Sequence, residues 1–147
     1  MTDPSDIALI LPYPVPAAES ERLLLFAMRR MAAAGLNDAH AAHGLLGAFG
    51  VSFRRPLILL RALMAEVSRA SSRKIPVAPC CCPRMTAAEA TLLRAVRIAT
   101  DQPREAHARL CDLLGTERAF GALASAQAVA QAFADLGRPI ERLHESD

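Results

Sequence analysis

A chain of 147 residues suits one domain with a sizeable core, and a formal charge of +2 is too small by itself to argue for a nucleic-acid partner. Aromatic residues make up only 4% and tryptophan is absent, so there is no set of rings on which bases would stack. No stretch reaches the roughly 18 uninterrupted apolar residues of a membrane span. Asp3 and Asp6 stand where a signal peptide needs cations, and the expectation is a soluble, cytoplasmic protein whose cysteines are thiols.

Residues 1–18 read as an extended arm. Pro4, Pro12, Pro14 and Pro16 each fix φ and withhold a donor, which favours a polyproline-like form. The helical domain follows over residues 19–139, with a short tail at 140–147. Its first helix starts at Ser20 or Glu21 and runs to Ala34, with Gly35 as the stop. Asn37 or Asp38 caps a second helix that ends at Gly50. Arg55-Pro56 opens a third, carried to about Ala70 by Leu57, Leu60, Met64 and Val67 on one face.

A loop over residues 71–79 precedes the clearest helix start in the chain. Thr86-Ala87-Ala88-Glu89 is a capping box, and Leu92, Val96 and Ala99 continue its apolar stripe. Asp101-Gln102-Pro103 caps a fifth helix ending near Gly115. A short helix from Thr116 or Glu117 to Ala124 is expected next. A last helix from Ser125 then turns Val129, Ala130, Phe133 and Leu136 inward and stops at Gly137. No segment alternates as a half-buried strand does, and no repeat of fixed period is evident. The reading is all-α: one irregular or orthogonal bundle of six or seven helices. Its alanine-rich surface makes a homodimer or protein partner plausible.

Three of the four cysteines are consecutive, Cys80-Cys81-Cys82, between Pro79 and Pro83. The prolines favour extended conformations before them, which would turn Cys80 and Cys82 to one side and Cys81 to the other. The start of the fourth helix and Arg84 would then favour thiolate over thiol. His40 and His43 share a helix face beside Gly44 and Gly47. If the second and third helices pack antiparallel, the 71–79 loop returns to the histidines. Cys80, Cys82, His40 and His43 would then make a tetrahedral, zinc-like site.

Thiol redox chemistry at Cys81 or Cys82 is the alternative, although the two-residue cysteine spacing of thioredoxin-like proteins is missing. His107 and Cys111 also share a face, but leucines surround Cys111 and mark it as a small buried apolar residue. The cations Arg54, Arg55, Arg61, Arg69, Arg73, Lys74 and Arg84 face only Glu66 over that span. An anion could settle among Arg69, Arg73, Lys74 and Arg84. With no phosphate-cradling glycine loop and no nucleophile elbow, the chain leans away from catalysis.

The segments Asp38-Ala39-His40-Ala41-Ala42-His43, Phe53-Arg54-Arg55-Pro56-Leu57, Arg61-Ala62-Leu63-Met64-Ala65-Glu66 and Pro79 to Thr86 together resemble a family of small bacterial helical proteins known only as a domain of unknown function. The resemblance spans roughly residues 20–139. It implies a bacterial cytosolic protein and assigns no functional residue.

Overall fold

The computed structural model describes residues 11–140, so the start of the arm and the tail from 141 lie outside it. Strand β1, Tyr13–Pro14, leads into α1, Glu19–Ala34, and α2, Ala39–Phe49. A 3-10 turn at Gly50–Ser52 precedes α3, Arg54–Ala70. Then come β2, Arg84–Met85, and three further helices: α4, Ala87–Ile98, α5, Pro103–Leu114, and α6, Phe120–Asp135. The chain is all-α in character, a single helical body. Helix α3 packs chiefly on α6, α4 on α5, and α1 on α2.

Local chemistry accounts for the helix ends. The Asp38 carboxylate accepts the Ala41 N–H at 2.9 Å and starts α2. Both bonds of the capping box form, Glu89 N–H to Thr86 Oγ1 at 3.0 Å and Thr86 N–H to Glu89 Oε1 at 2.9 Å. Pro103 occupies the first turn of α5, but Gln102 holds the cap position without a side-chain cap bond. Gly115 closes α5 at φ +67°, a left-handed conformation that L side chains rarely adopt, and the Ser72 and Arg73 side chains press where a Cβ would stand.

Two expectations are corrected here. The short helix and the last helix are one, α6, which begins at Phe120 and passes through Ser125 without a break. Alanines flank that serine on both sides, and they outweigh its slight preference for a helix end. A small sheet also exists: Tyr13 pairs antiparallel with Met85 and Pro14 with Arg84. Two residues are too few to show alternation in a sequence. The arm is held further by Val15 N–H to the Pro83 carbonyl at 3.0 Å and by Arg84, which donates to the carbonyls of Leu11 at 2.7 Å and Pro12 at 2.9 Å.

The apolar stripe of α3, Leu57, Leu60, Met64 and Val67, is buried as expected, and so are Leu92, Val96, Ala99, Val129 and Phe133. Ala130 and Leu136 are only half-buried. Phe133 meets Phe49 edge to face, with ring centroids 5.0 Å apart.

Helices α1 and α4 carry the same nine-residue pattern, Glu-x-x-Leu-Leu-x-Ala-apolar-Arg, at Glu21 to Arg29 and at Glu89 to Arg97. The Leu-Leu, Ala and apolar positions of both copies are buried. The charged ends pair reciprocally: Arg29 Nε donates to Glu89 at 2.6 Å, and Arg97 Nε to Glu21 at 2.7 Å. First meets last in both directions, so the two helices run antiparallel.

Arg29 and Glu89 are 2% and 3% exposed, so their pairing is not a surface decoration. Removing one partner of such a pair strands the other charge in the interior, at a cost of about 3–5 kcal/mol. Arg29→Met is expected to lower unfolding free energy in urea by that amount. Arg29→Met with Glu89→Leu should recover most of the loss. A single variant within about 0.5 kcal/mol of wild type, the ordinary range for surface substitutions, would show that the pair bears little of the fold.

Candidate functional site

The cysteine segment is not an extended tripeptide. Cys82 N–H donates to the Pro79 carbonyl at 3.0 Å, closing a tight turn at Cys80-Cys81. The reason lies at the ends of the segment. Thr86 Oγ1 donates to the Pro76 carbonyl at 2.8 Å, so ten residues of chain must leave and return to one point. The backbone has to reverse between them, and the turn is where it does so.

Arg29 then pins the returning strand. Its Nη1 donates to the Cys82 carbonyl and its Nη2 to the Arg84 carbonyl, each at 2.8 Å, while the same guanidinium grips Glu89. One buried side chain of α1 therefore holds the cysteine turn, β2 and the cap of α4 together.

All three thiols of the turn are free, with Cys81 exposed and Cys80 and Cys82 half-buried. They border a cavity of about 580 Å³ against α1, whose walls include Glu19, Arg22 and Phe26. Desolvation, hydrogen bonding to the Cys81 thiol and the charge of Cys81 push the Cys80 thiol above its ordinary value; Arg30 and Arg29 offset this in part. The expected bias toward thiolate is corrected for Cys80. Arg84 gives its guanidinium to the arm carbonyls instead.

Cys80, Cys82, His40 and His43 do not assemble as a ligand set. Among the described residues no group of three or more His, Cys, Asp and Glu side chains is placed to hold a metal ion. Both histidines are exposed on α2. The expected antiparallel pairing of the second and third helices is not the dominant contact, because α3 turns its apolar stripe to α6. The loop that follows is drawn to the end of α5, where Ser72 N–H donates to the Leu114 carbonyl at 2.8 Å.

Arg30 of α1 pairs with Asp38 at the start of α2, Nη2 to Oδ1 at 2.8 Å, and its charge acts on the Cys80 thiol. Nor do the glycines leave an open groove throughout: a Cβ on Gly44 would stand 3.0 Å from the Phe26 ring, so this glycine lets α1 approach, while Gly47 faces open space.

The four candidate anion ligands also have separate duties. Arg69 is ion-paired with Glu66, and Arg84 is bound to the arm. Only Arg73 and Lys74 stay exposed without an acidic partner among the described residues. His107 Nε2 accepts the Ala119 N–H at 3.1 Å, and its ring stacks on Phe120 with centroids 4.3 Å apart. Cys111 Sγ lies 3.5 Å from that same nitrogen, whose lone pair is already engaged in starting α6. His107 thus serves the start of α6, and Cys111 is half-buried rather than the fully buried apolar residue expected.

Sequence reasoning missed Arg22, Arg29 and Arg30. A signal existed for Arg29: it falls four residues after Leu25 and eight after Glu21, on the apolar side of its helix.

A family model described as "Family of unknown function (DUF6628)" matches residues 2–144, and the chain belongs to that family. No curated protein and no solved structure matches it. No helix among the described residues is long and apolar enough to cross a membrane.

The Arg30–Asp38 joint has a pH signature. The Arg30 hydrogen bond, with the Ala41 N–H and the two nearby positive charges, holds the Asp38 carboxyl down at about 2, against an ordinary 3.8. A carboxyl depressed in the folded state stabilises fully above its unfolded value, and that contribution is lost as pH falls through the folded one. The stability difference between wild type and Asp38→Asn should therefore be constant above pH 5 and shrink from about pH 4 to pH 2. A difference independent of pH, followed by thermal unfolding, would show that the carboxylate charge does not hold this corner.

Proposed function

We propose, for this member of a family of unknown function, a regulatory role as a thiol switch: the Cys80-Cys81-Cys82 turn responds to oxidant and transmits the change through Arg29 to the packing of α1 on α4. The single supporting observation is the shared guanidinium, 2.8 Å from the Cys82 carbonyl and 2.6 Å from the Glu89 carboxylate. A change of backbone shape in the turn pulls on a buried ion pair.

The chemistry needs a hydroperoxide and, for reset, a small thiol. The exposed Cys81 thiolate attacks the peroxide O–O bond; sulfur gains an oxygen, and the other oxygen leaves with a proton as water or alcohol. The neighbouring Cys80 sulfur then displaces water from the sulfenic acid, forming a disulfide. Two electrons from small thiols reverse it. A disulfide between adjacent residues distorts the peptide between them, and that distortion is the signal. Cys82, also free and half-buried in the turn, is the alternative resolving thiol.

A zinc-like ion is the second reading, favoured by three free thiols gathered on one tight turn. A soft cation shared by thiolates on one turn would offset their mutual repulsion. Recruiting His40 or His43 as further ligands would require the Arg30–Asp38 corner to open.

Alkylation of the reduced protein at neutral pH, read by peptide mass, should label Cys81 first and Cys111 slowly. Hydrogen peroxide should then remove two hydrogens from the turn peptide, and dithiothreitol should restore them. Equal, slow labelling of all four thiols, or a turn peptide unchanged by peroxide, would end the switch reading. Zinc that copurifies with untagged protein and is lost from Cys80→Ser/Cys82→Ser would favour the second.

A further inference from the structure

We propose that the cavity between α1, α3, α4 and the 71–79 loop is a binding site for a small amphipathic carboxylate, separate from the thiol turn. The cavity measures about 360 Å³, within the range of small-ligand sites. Its floor is formed by Met28, Met31, Met64, Val67 and Leu92. Three methionines give it a polarizable, adaptable surface suited to an alkyl or aryl body.

The enclosure is built rather than incidental. One wall is the 71–79 loop, tied at one end by Ser72 N–H to the Leu114 carbonyl at 2.8 Å and at the other by Thr86 Oγ1 to the Pro76 carbonyl at 2.8 Å. Loop residues Ile75 and Val77 turn apolar side chains to the cavity, and Val77 and Leu36, 39% and 36% exposed, form an uncovered apolar rim.

Charge decides the class of ligand. Glu89 borders the cavity, yet its carboxylate is already neutralised by Arg29 and bonded to the Thr86 N–H. Arg73 is the only cation on the lining among the described residues and has no acidic partner there; its guanidinium rests over Gly115 at the end of α5, from which it would swing to the cavity mouth to meet a ligand. One free guanidinium suits a monoanion, and its planar fork matches a carboxylate. Lys74, which would add the charge a phosphate prefers, lies outside the lining. The volume admits a body of about ten non-hydrogen atoms, the size of octanoate.

The test uses octanoate, with octanol as its neutral counterpart. Titration calorimetry on the full chain should show octanoate binding about ten-fold more tightly than octanol, as a charge-assisted hydrogen bond implies. Arg73→Gln, an exposed substitution, should bring octanoate down to the octanol level. Ser68→Trp, on the exposed edge of the cavity, should block both. In methyl spectra of the wild type, octanoate should shift Met28, Met31 and Met64. Equal binding of the two probes, no effect of Arg73→Gln, or shifts confined to methionines elsewhere would each overturn the proposal, as would no binding at millimolar octanoate. The methyl spectra need no variant, so a folding failure of Ser68→Trp leaves the question decided.

Discussion

The structure depends on one buried guanidinium. Arg29 is 2% exposed and makes four hydrogen bonds, two to Glu89 and one each to the carbonyls of Cys82 and Arg84. An arginine so deep in the interior is tolerable only when each face of its charge is answered. Glu89 answers it, and Glu89 is itself anchored through the cap of α4. Among the described residues no buried side-chain nitrogen or oxygen is left without a partner. Helix α1, the turn of three cysteines and the start of α4 are thus tied together through one side chain.

That unit sets what the thiols can do. The turn is stiffened by Pro79 and Pro83 and hydrogen-bonded across itself, so the sulfurs sit in a fixed backbone frame rather than on a loose loop. The frame raises the Cys80 thiol and leaves Cys81 outward. It also places the arginine pair Arg29 and Arg30 beside the sulfurs, where an ordinary metal site would have neutral imidazoles. On the other side of the clamp, Glu89 forms part of the wall of the apolar cavity with Arg73 at its edge. Two chemically different surfaces therefore share one ion pair.

Much of the fold was legible because the signals act over a few residues. The capping box at Thr86, the cap at Asp38, the stops at Gly35 and Gly115, and the stripe of Leu57, Leu60, Met64 and Val67 all appear where their local chemistry places them. The division of α6 at Ser125 was a local misreading, since a serine is a helix start only if the preceding turn ends. The site was less legible. The cysteine cluster was visible, but its conformation was misjudged, because proline preferences were weighed without the bond from Thr86 to Pro76 that forces a reversal. Arg29 was overlooked since a charged residue inside an apolar stripe reads as solvent-facing until its partner is known.

The residues by themselves determined the helices, their caps and the gathering of three thiols in one stiffened loop, since each of these rests on neighbours within about four positions. Tertiary structure decided which charge meets which. Arg29 and Glu89 are 60 positions apart, and Glu21 and Arg97 76. They pair only because two copies of one helical pattern lie antiparallel, with their apolar faces hidden from water. Hydrophobic burial chooses that alignment, and the charges, costly to bury alone, make it the one arrangement in which none is stranded.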